Sequence, residues 1–415
     1  MKRIITALIA LGMTTGCSKE VQTLPANLIT QVTGTTVSES IPVTSQNAKA
    51  NIDPPEYLIL DTLENLEVYE EITISQLVTE TNVEILNGDD TVDTSEIGNY
   101  EIYIKCSCDD GNFKKKISYT VKDTTAPVLL NMGVSPYVTK GEEFDLKKIV
   151  GYADNYDTSP VLTYDGTVDT NTIGTYPITA HVTDSSGNET SWDMTVIVLS
   201  HIPASDTPAE APDYSDGTPF EEFVKANAGE NREFGIDVSA WQGDIDFNAV
   251  KNAGCEFVII RMGHFYDEIV PDEWYSENIR KAREAGLKVG VYFYTTLNSA
   301  DKVDELVSYI TEQLDGVKLD FPIAFDWEEF TNFQQYGLSI HGLNELFNLF
   351  CIEMENNGYS AMLYSSKNFL NNPVWLAHFI DETDYNGDYF MWQGSSTGLI
   401  DGIEGYVDMN VHYID

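Results

Sequence analysis

Phe321-Pro322-Ile323-Ala324-Phe325-Asp326-Trp327-Glu328 decides the reading of this chain. The apolar run that opens it reads as a buried strand. Two carboxylates close it. Residues two apart on a strand point to one face, so Asp326 and Glu328 share a side while Trp327 points away. Carboxyls held together raise each other's affinity for protons. Splitting a glycosidic bond needs one protonated acid and one ionised carboxylate, a division that such a pair supports. The bland alternative is two solvated acids in a loop, common in a chain with 67 acidic and 23 basic residues. The apolar strand directly before the pair argues against it.

Outward from this stretch, short apolar runs alternate with helical ones. Phe234–Ser239, Phe257–Arg261, Lys288–Tyr294 and Ala361–Ser365 read as strands. Phe247–Ala253, Tyr275–Ala285, Ala300–Leu314 and Leu343–Asn356 read as helices, with Gly286 and Gly358 as stops. Such βα alternation predicts a parallel sheet with crossover helices. After Tyr364 the helices thin out. In barrels of this kind the chemistry sits at the C-terminal ends of the strands. Here those ends carry Asp237, Arg261, Tyr292 with Tyr294, Asp326 with Glu328, Tyr364, Trp392-Gln393 and Asp408.

These segments resemble glycoside hydrolase family 25, the Chalaropsis-type lysozymes (N-acetylmuramidases). The matching motifs run in order: Gly235-Ile236-Asp237-Val238-Ser239 with Trp241-Gln242-Gly243; Phe257-Val258-Ile259-Ile260-Arg261; Ala285-Gly286-Leu287-Lys288-Val289-Gly290-Val291-Tyr292; Pro322 to Glu328; Tyr364-Ser365; Trp392-Gln393; and Val407-Asp408-Met409-Asn410. The resemblance covers residues 232–415. It implies an α/β TIM-like (β/α)5(β)3 barrel that hydrolyses the β-1,4 bond between N-acetylmuramic acid and N-acetylglucosamine in peptidoglycan glycan strands, without cofactor or metal. By the same resemblance Glu328 is the general acid. Asp326 assists through the substrate's 2-acetamido group, if that group is the internal nucleophile. Asp237 and Asp408 are the remaining catalytic acids, and Arg261, Tyr292, Tyr294, Tyr364, Trp392 and Gln393 contact substrate. There are two departures. Leu376-Ala377-His378-Phe379 stands where the family has Ala followed two residues later by Tyr, so a sugar contact there is expected to be lost. Met262 to Asp272 is unusual for the family and is expected to reshape the cleft.

The N-terminal half carries an internal repeat. Val92-Asp93-Thr94-Ser95-Glu96-Ile97-Gly98-Asn99-Tyr100 matches Val168-Asp169-Thr170-Asn171-Thr172-Ile173-Gly174-Thr175-Tyr176, an offset of 76 residues (168 minus 92). The offset holds without a gap through Gly111-Asn112 and Gly187-Asn188. Each copy is therefore one small domain, 52–123 and 124–199. Tyr176–Val182, the turn Ser185-Ser186-Gly187-Asn188 and Asp193–Val198 read as a hairpin. Short strands at this spacing predict β-sandwiches, and the copies resemble bacterial immunoglobulin-like repeats of surface proteins. No exposed aromatic cluster marks either as a binder, so a rigid spacer is the expected role. Residues 200–231 read as an extended, acidic linker.

At the start, Lys2-Arg3, the apolar run Ile4–Met13 and Thr14-Thr15-Gly16-Cys17 resemble a lipoprotein signal, residues 1–17, with Cys17 as the lipidated N-terminus. Residues 18–51, rich in Ser, Thr, Gln and Val, read as a flexible tether. The expected location is the outer face of the membrane and the cell wall, with the membrane reached through the lipid anchor. The formal net charge of −44 repels phosphate backbones and excludes nucleic acid as a partner. Cys106, Cys108, Cys255 and Cys351 make neither a disulfide framework nor a metal-ligand spacing. The expected state is a monomer. The rival readings are a non-catalytic wall-binding lipoprotein that uses the barrel as a glycan receptor, a hydrolase of a different glycan, and an adhesin led by its β repeats.

Overall fold

The computed structural model describes residues 58, 60–130, 136–200, 216–366, 374–380, 383, 385 and 387–414. The signal segment with Cys17 and the tether at 18–51 lie outside them. The chain divides into two compact units, one ending at Thr124 and one running from Thr125 to Asp415. No described helix is long and apolar enough to cross a membrane.

The first unit is built on a long hairpin, Gly98–Cys108 with Gly111–Lys122, flanked by Asn65–Glu67 and Glu84–Ile85. Alternate residues Ile104, Cys106, Phe113, Ile117, Tyr119 and Val121 turn inward, the period-two pattern of a sheet with one buried face. In the second unit the repeat returns as Gly174–Thr183 with Glu189–Leu199, flanked by Val161–Gly166 and Tyr137–Thr139. The repeat of 76 holds in detail. Gly111 and Gly187 both take positive φ at the hairpin turn, 125° and 92°. The Tyr100 hydroxyl donates to the Glu96 carbonyl at 2.9 Å, and the Tyr176 hydroxyl to the Thr172 carbonyl at 2.7 Å. Each tyrosine thus ties the start of its strand to the turn before it.

The rest of the second unit is a closed sheet. Its strands are β1 (Arg232–Val238), β2 (Phe257–Phe265), β3 (Lys288–Thr295), β4 (Ile323–Asp326), β5 (Ala361–Ser366), β6 (Val374–Ala377), β7 (Met391–Leu399) and β8 (Val407–Tyr413). β1 to β7 pair in parallel and in sequence order. β8 runs antiparallel to both β1 and β7 and closes the ring. Helices α1 (Phe247–Asn252), α2 (Tyr275–Glu284), α3 (Ala300–Leu314) and α4 (Ile340–Asn356) follow the first four strands. Residues 367–373, between β5 and β6, lie outside the described ones. α3 shows why helices form here: Val303, Leu306, Val307, Ile310 and Leu314 recur at helical spacing and are all buried against the sheet. β4 is buried on both faces, as a parallel strand between layers must be.

The structure departs from the sequence reading in two places and adds detail in a third. Residues 218–227, expected within the linker, belong to the barrel: Thr218–Pro219 pairs with β7, and the helix Phe220–Asn227 buries Phe220 and Phe223 in the barrel core. Two such phenylalanines contribute about 1.5–3 kcal/mol each, enough to anchor so short a helix. Helix α4 starts at Ile340, not Leu343, because Ser339 caps it by accepting from the Gly342 amide. The stretch 262–272 is a hairpin, in which Ile269–Pro271 folds back on the end of β2.

Candidate active site

Strand register brings the acids and aromatics together. Asp237 on β1 lies directly opposite Asp408 on β8. Tyr294 on β3, Asp326 on β4, Tyr364 on β5 and Trp375 on β6 are successive register partners across four strands. Arg261 on β2 pairs with Tyr292 on β3. All of them, with Glu328 just past the end of β4, line one cleft of about 420 Å³ at the C-terminal ends of the strands. Trp327 does point away: it is buried, and its Nε1 donates to the Leu297 carbonyl at 3.2 Å.

The four carboxyls sit in different surroundings. Asp326 is buried, and its Oδ1 has no hydrogen-bond partner among the described residues. Burial pushes its proton affinity well above the usual carboxylate range, the charges of Glu328 and Asp237 push the same way, and Arg261 opposes them. Glu328 reaches open cleft water, yet the walls around it strip enough solvent to raise its pKa, helped by the charges of Asp237 and Glu329. Asp408 is pushed up to about 8, by burial first and then by Asp237 and Glu328. Asp237 is buried but rises only to about 6, because Gln393 Nε2 and Asn410 Nδ2 both donate to its Oδ2, at 2.9 and 2.8 Å. The cleft therefore holds fewer than four negative charges at neutral pH and keeps at least one carboxyl protonated.

A polar network orients these groups. Tyr364 donates to Gln393 Oε1 at 2.8 Å, and Trp375 Nε1 donates to Asn410 Oδ1 at 2.8 Å. Gln393 and Asn410 thereby carry order from two aromatic walls to Asp237. The Trp375 ring stands edge-on to Tyr364 and Tyr292, at 4.8 and 6.0 Å. Arg261 is tied through Nε to the buried Asp272 at 2.8 Å, while Asp272 also accepts from the amides of Ala240 and Trp274. The hairpin at 262–272 thus fixes the arginine that faces the acids. Tyr294 donates to Glu329 at 2.9 Å and packs on Tyr266 of the same hairpin.

One expected contact is corrected. Trp392 does not line the cleft: it is 3% exposed, packs near Phe223 and donates to the His378 carbonyl at 2.9 Å. Its neighbour Gln393 faces the acids, and adjacent strand residues face opposite ways. Near the position where a sugar contact was expected to be lost, the Phe379 ring, 52% exposed, lines the cleft. Trp375, Asn410 and Trp241 are cleft or network residues that the sequence reading gave no role. Trp241 stands 85% exposed at the cleft edge, which is unusual for so large an apolar ring. Among the described residues Cys106, Cys108, Cys255 and Cys351 form no disulfide, and burial pushes Cys255 up to about 12.

Residues 236–403 match the glycosyl hydrolases family 25, and residues 130–198 match the Ig-like domain of bacterial surface proteins. The autolytic lysozyme of Clostridium acetobutylicum is 30% identical over 188 residues, 42% of this chain and 54% of that protein. The chain thus spans about half the length of that relative. Lysozyme M1 of Streptomyces globisporus is 28% identical over 199 residues, 42% of this chain and 66% of that protein. Among solved structures, the bacterial lysozyme from Streptomyces coelicolor is 24% identical, over 43% of this chain and 90% of that chain, with a TM-score of 0.37. Residues 236–403 are accordingly similar to the glycosyl hydrolases family 25, and residues 130–198, which precede them, to the Ig-like domain of bacterial surface proteins.

Proposed function

We propose that this chain is a muramidase, hydrolysing the β-1,4 bond between N-acetylmuramic acid and N-acetylglucosamine in peptidoglycan. The observation that carries the proposal is the contrast between two carboxyls two residues apart. Asp326 is buried with an unpartnered oxygen, and Glu328 reaches into the cleft with a raised proton affinity. Glu328, whose proton affinity the desolvating walls of the cleft raise, is the carboxyl we assign to give a proton to the departing glycosidic oxygen. Asp326 Oδ1 is a ready acceptor for the substrate's acetamido N–H, which would orient that group beside the anomeric carbon. Asp237, mostly ionised at neutral pH, keeps the cleft electronegative and stabilises positive charge developing on the sugar ring, with Asp408 directly opposite it on β8. Tyr292, Tyr364, Trp375, Phe379 and Trp241 offer apolar faces to sugar rings. Residues 52–123 act as a second Ig-like copy. The enzyme works outside the cell on wall polymer, held to the membrane through lipid on Cys17.

The test is digestion of purified peptidoglycan by the full chain, followed by borohydride reduction and analysis of the reduced sugar. Reduced N-acetylmuramic acid is the expected product. Reduced N-acetylglucosamine would mean cleavage of the other glycosidic bond. Binding to the wall without any new reducing end would replace the enzyme with a glycan receptor.

A further inference from the structure

The Ig-like domain of the second unit does more than carry the barrel. Its strand Tyr152–Ala153, with Gly151 before it, runs along the turns of 3-10 helix at Phe330–Tyr336, the segment that directly follows Glu328 and Glu329. A Cβ at residue 151 would fall 1.8 Å from the Phe330 carbonyl oxygen and 2.9 Å from the Thr331 Cα. Both are backbone atoms, so only glycine permits this approach. The contact continues in hydrogen bonds. The Ile340 amide donates to the Asp154 carbonyl at 2.8 Å, the His341 amide to the Asn155 carbonyl at 3.3 Å, and Gln334 Nε2 to the Lys147 carbonyl at 3.2 Å. Leu130 and Ala153 of the Ig-like domain are buried within the barrel's own core cluster.

The segment held in this way holds the acid pair in turn. Trp327 sits between Asp326 and Glu328 in sequence and points away from the cleft. Its ring is enclosed by Phe330, Phe333 and Tyr336, with centroids 5.5, 5.3 and 5.2 Å away, all three from the clamped segment. The direction in which Trp327 packs decides the direction in which the carboxyls on either side of it face. The segment is itself broken at Asn332, where the backbone leaves helical geometry. So irregular a turn depends on outside packing to keep one conformation.

We propose that the Ig-like domain is a structural part of the active site, with Gly151 a positioning residue that acts through residues 330–336 and Trp327 on Asp326 and Glu328. The proposal rests on the muramidase reading only for its kinetic consequence; the docking itself stands apart from it. A barrel whose catalytic loop is finished by the preceding domain is active only when the two fold together.

The experiment uses the full chain with Gly151→Ala, beside Val196→Ala, which removes buried volume from an Ig-like core cluster that contains no barrel residue. Hydrogen exchange at the Ile340 and His341 amides, and kcat and KM on soluble peptidoglycan fragments, are read for each. With Gly151→Ala, exchange at both amides should rise and kcat fall by about tenfold or more, with KM within about twofold, since the loss is of acid placement and not of sugar binding. Val196→Ala should leave exchange at both amides and kcat as in the unaltered protein. Should Gly151→Ala fail to fold, Gln334→Ala, which removes one cross-interface bond, should shift exchange and kcat in the same direction by less. Unchanged exchange and kcat in Gly151→Ala would overturn the proposal and return the Ig-like domain to a spacer. An equal loss in Val196→Ala would overturn it too, as a mere effect of instability. If the unaltered protein cleaves no peptidoglycan, the muramidase reading fails, and the exchange measurement still decides the docking.

Discussion

Asn410→Ala removes the residue that joins the aromatic wall to the acids. Asn410 is fully buried, donates to Asp237 Oδ2 at 2.8 Å and accepts from Trp375 Nε1 at 2.8 Å. Losing a hydrogen bond to a charged group costs about 1.5–3 kcal/mol, and leaving a buried indole N–H unpaired about 1–3 kcal/mol. The two share a site and do not add fully, so about 3–5 kcal/mol is expected in total. For a unit of this size each kcal/mol moves Tm by about 2–4 °C, which predicts a fall of about 10 °C in the barrel's melting transition at pH 7. The loss should also depend on pH in a defined direction. The two amide donors hold Asp237 down to about 6, so the bond is worth most when Asp237 is ionised. Calorimetry of the full chain should therefore show a larger drop at pH 8 than at pH 5, where Asp237 is already protonated. A fall of less than about 2 °C, or a drop larger at pH 5, would refute the network as described.

Two further predictions concern the cleft. Asp237 and Asp408 have pKa values raised to about 6 and about 8, so each binds its proton more tightly in the folded protein than in the unfolded chain. Their contribution to stability is complete below the ordinary carboxylate pKa of about 4 and is lost as pH rises through the folded values. Asp408→Asn should therefore flatten the decline of Tm between about pH 4 and pH 8, and melting curves that decline as steeply in the variant would contradict the raised pKa. Trp241→Ala should raise KM about tenfold and leave kcat within about twofold, because the ring is a remote sugar platform; a fall in kcat at constant KM would place Trp241 in the chemistry instead.

Much of the site was legible because strand periodicity is simple. Asp326 and Glu328 two apart, and Asp237, Arg261, Tyr292 and Tyr364 at strand ends, all face the cleft. The same rule, applied more strictly, would have found Asn410, which lies two residues after Asp408 on β8, and would have chosen between Trp392 and Gln393. Trp375 had a weaker signal, a lone aromatic in a short strand between loops. Register partners such as Asp237 and Asp408 are set by how the sheet closes, and no local pattern reports that. The helix at Phe220–Asn227 was hidden by its acidic, proline-bearing surroundings, although Phe220, Phe223 and Val224 do recur at helical spacing. The docking of the Ig-like domain was not legible at all. It depends on Gly151 meeting the backbone of Phe330, a contact between residues far apart in sequence whose side chains announce nothing.

The most direct test of the account is the rate at which the full chain with Glu328→Gln releases new reducing ends from purified peptidoglycan. The substitution keeps the size and hydrogen-bonding shape of the side chain and removes only its transferable proton. Loss of the general acid predicts a fall of about 100- to 10,000-fold, with wall binding retained. A variant that cleaves within about tenfold of the unaltered protein would show that Glu328 is not the acid and would return the assignment to the other three carboxyls.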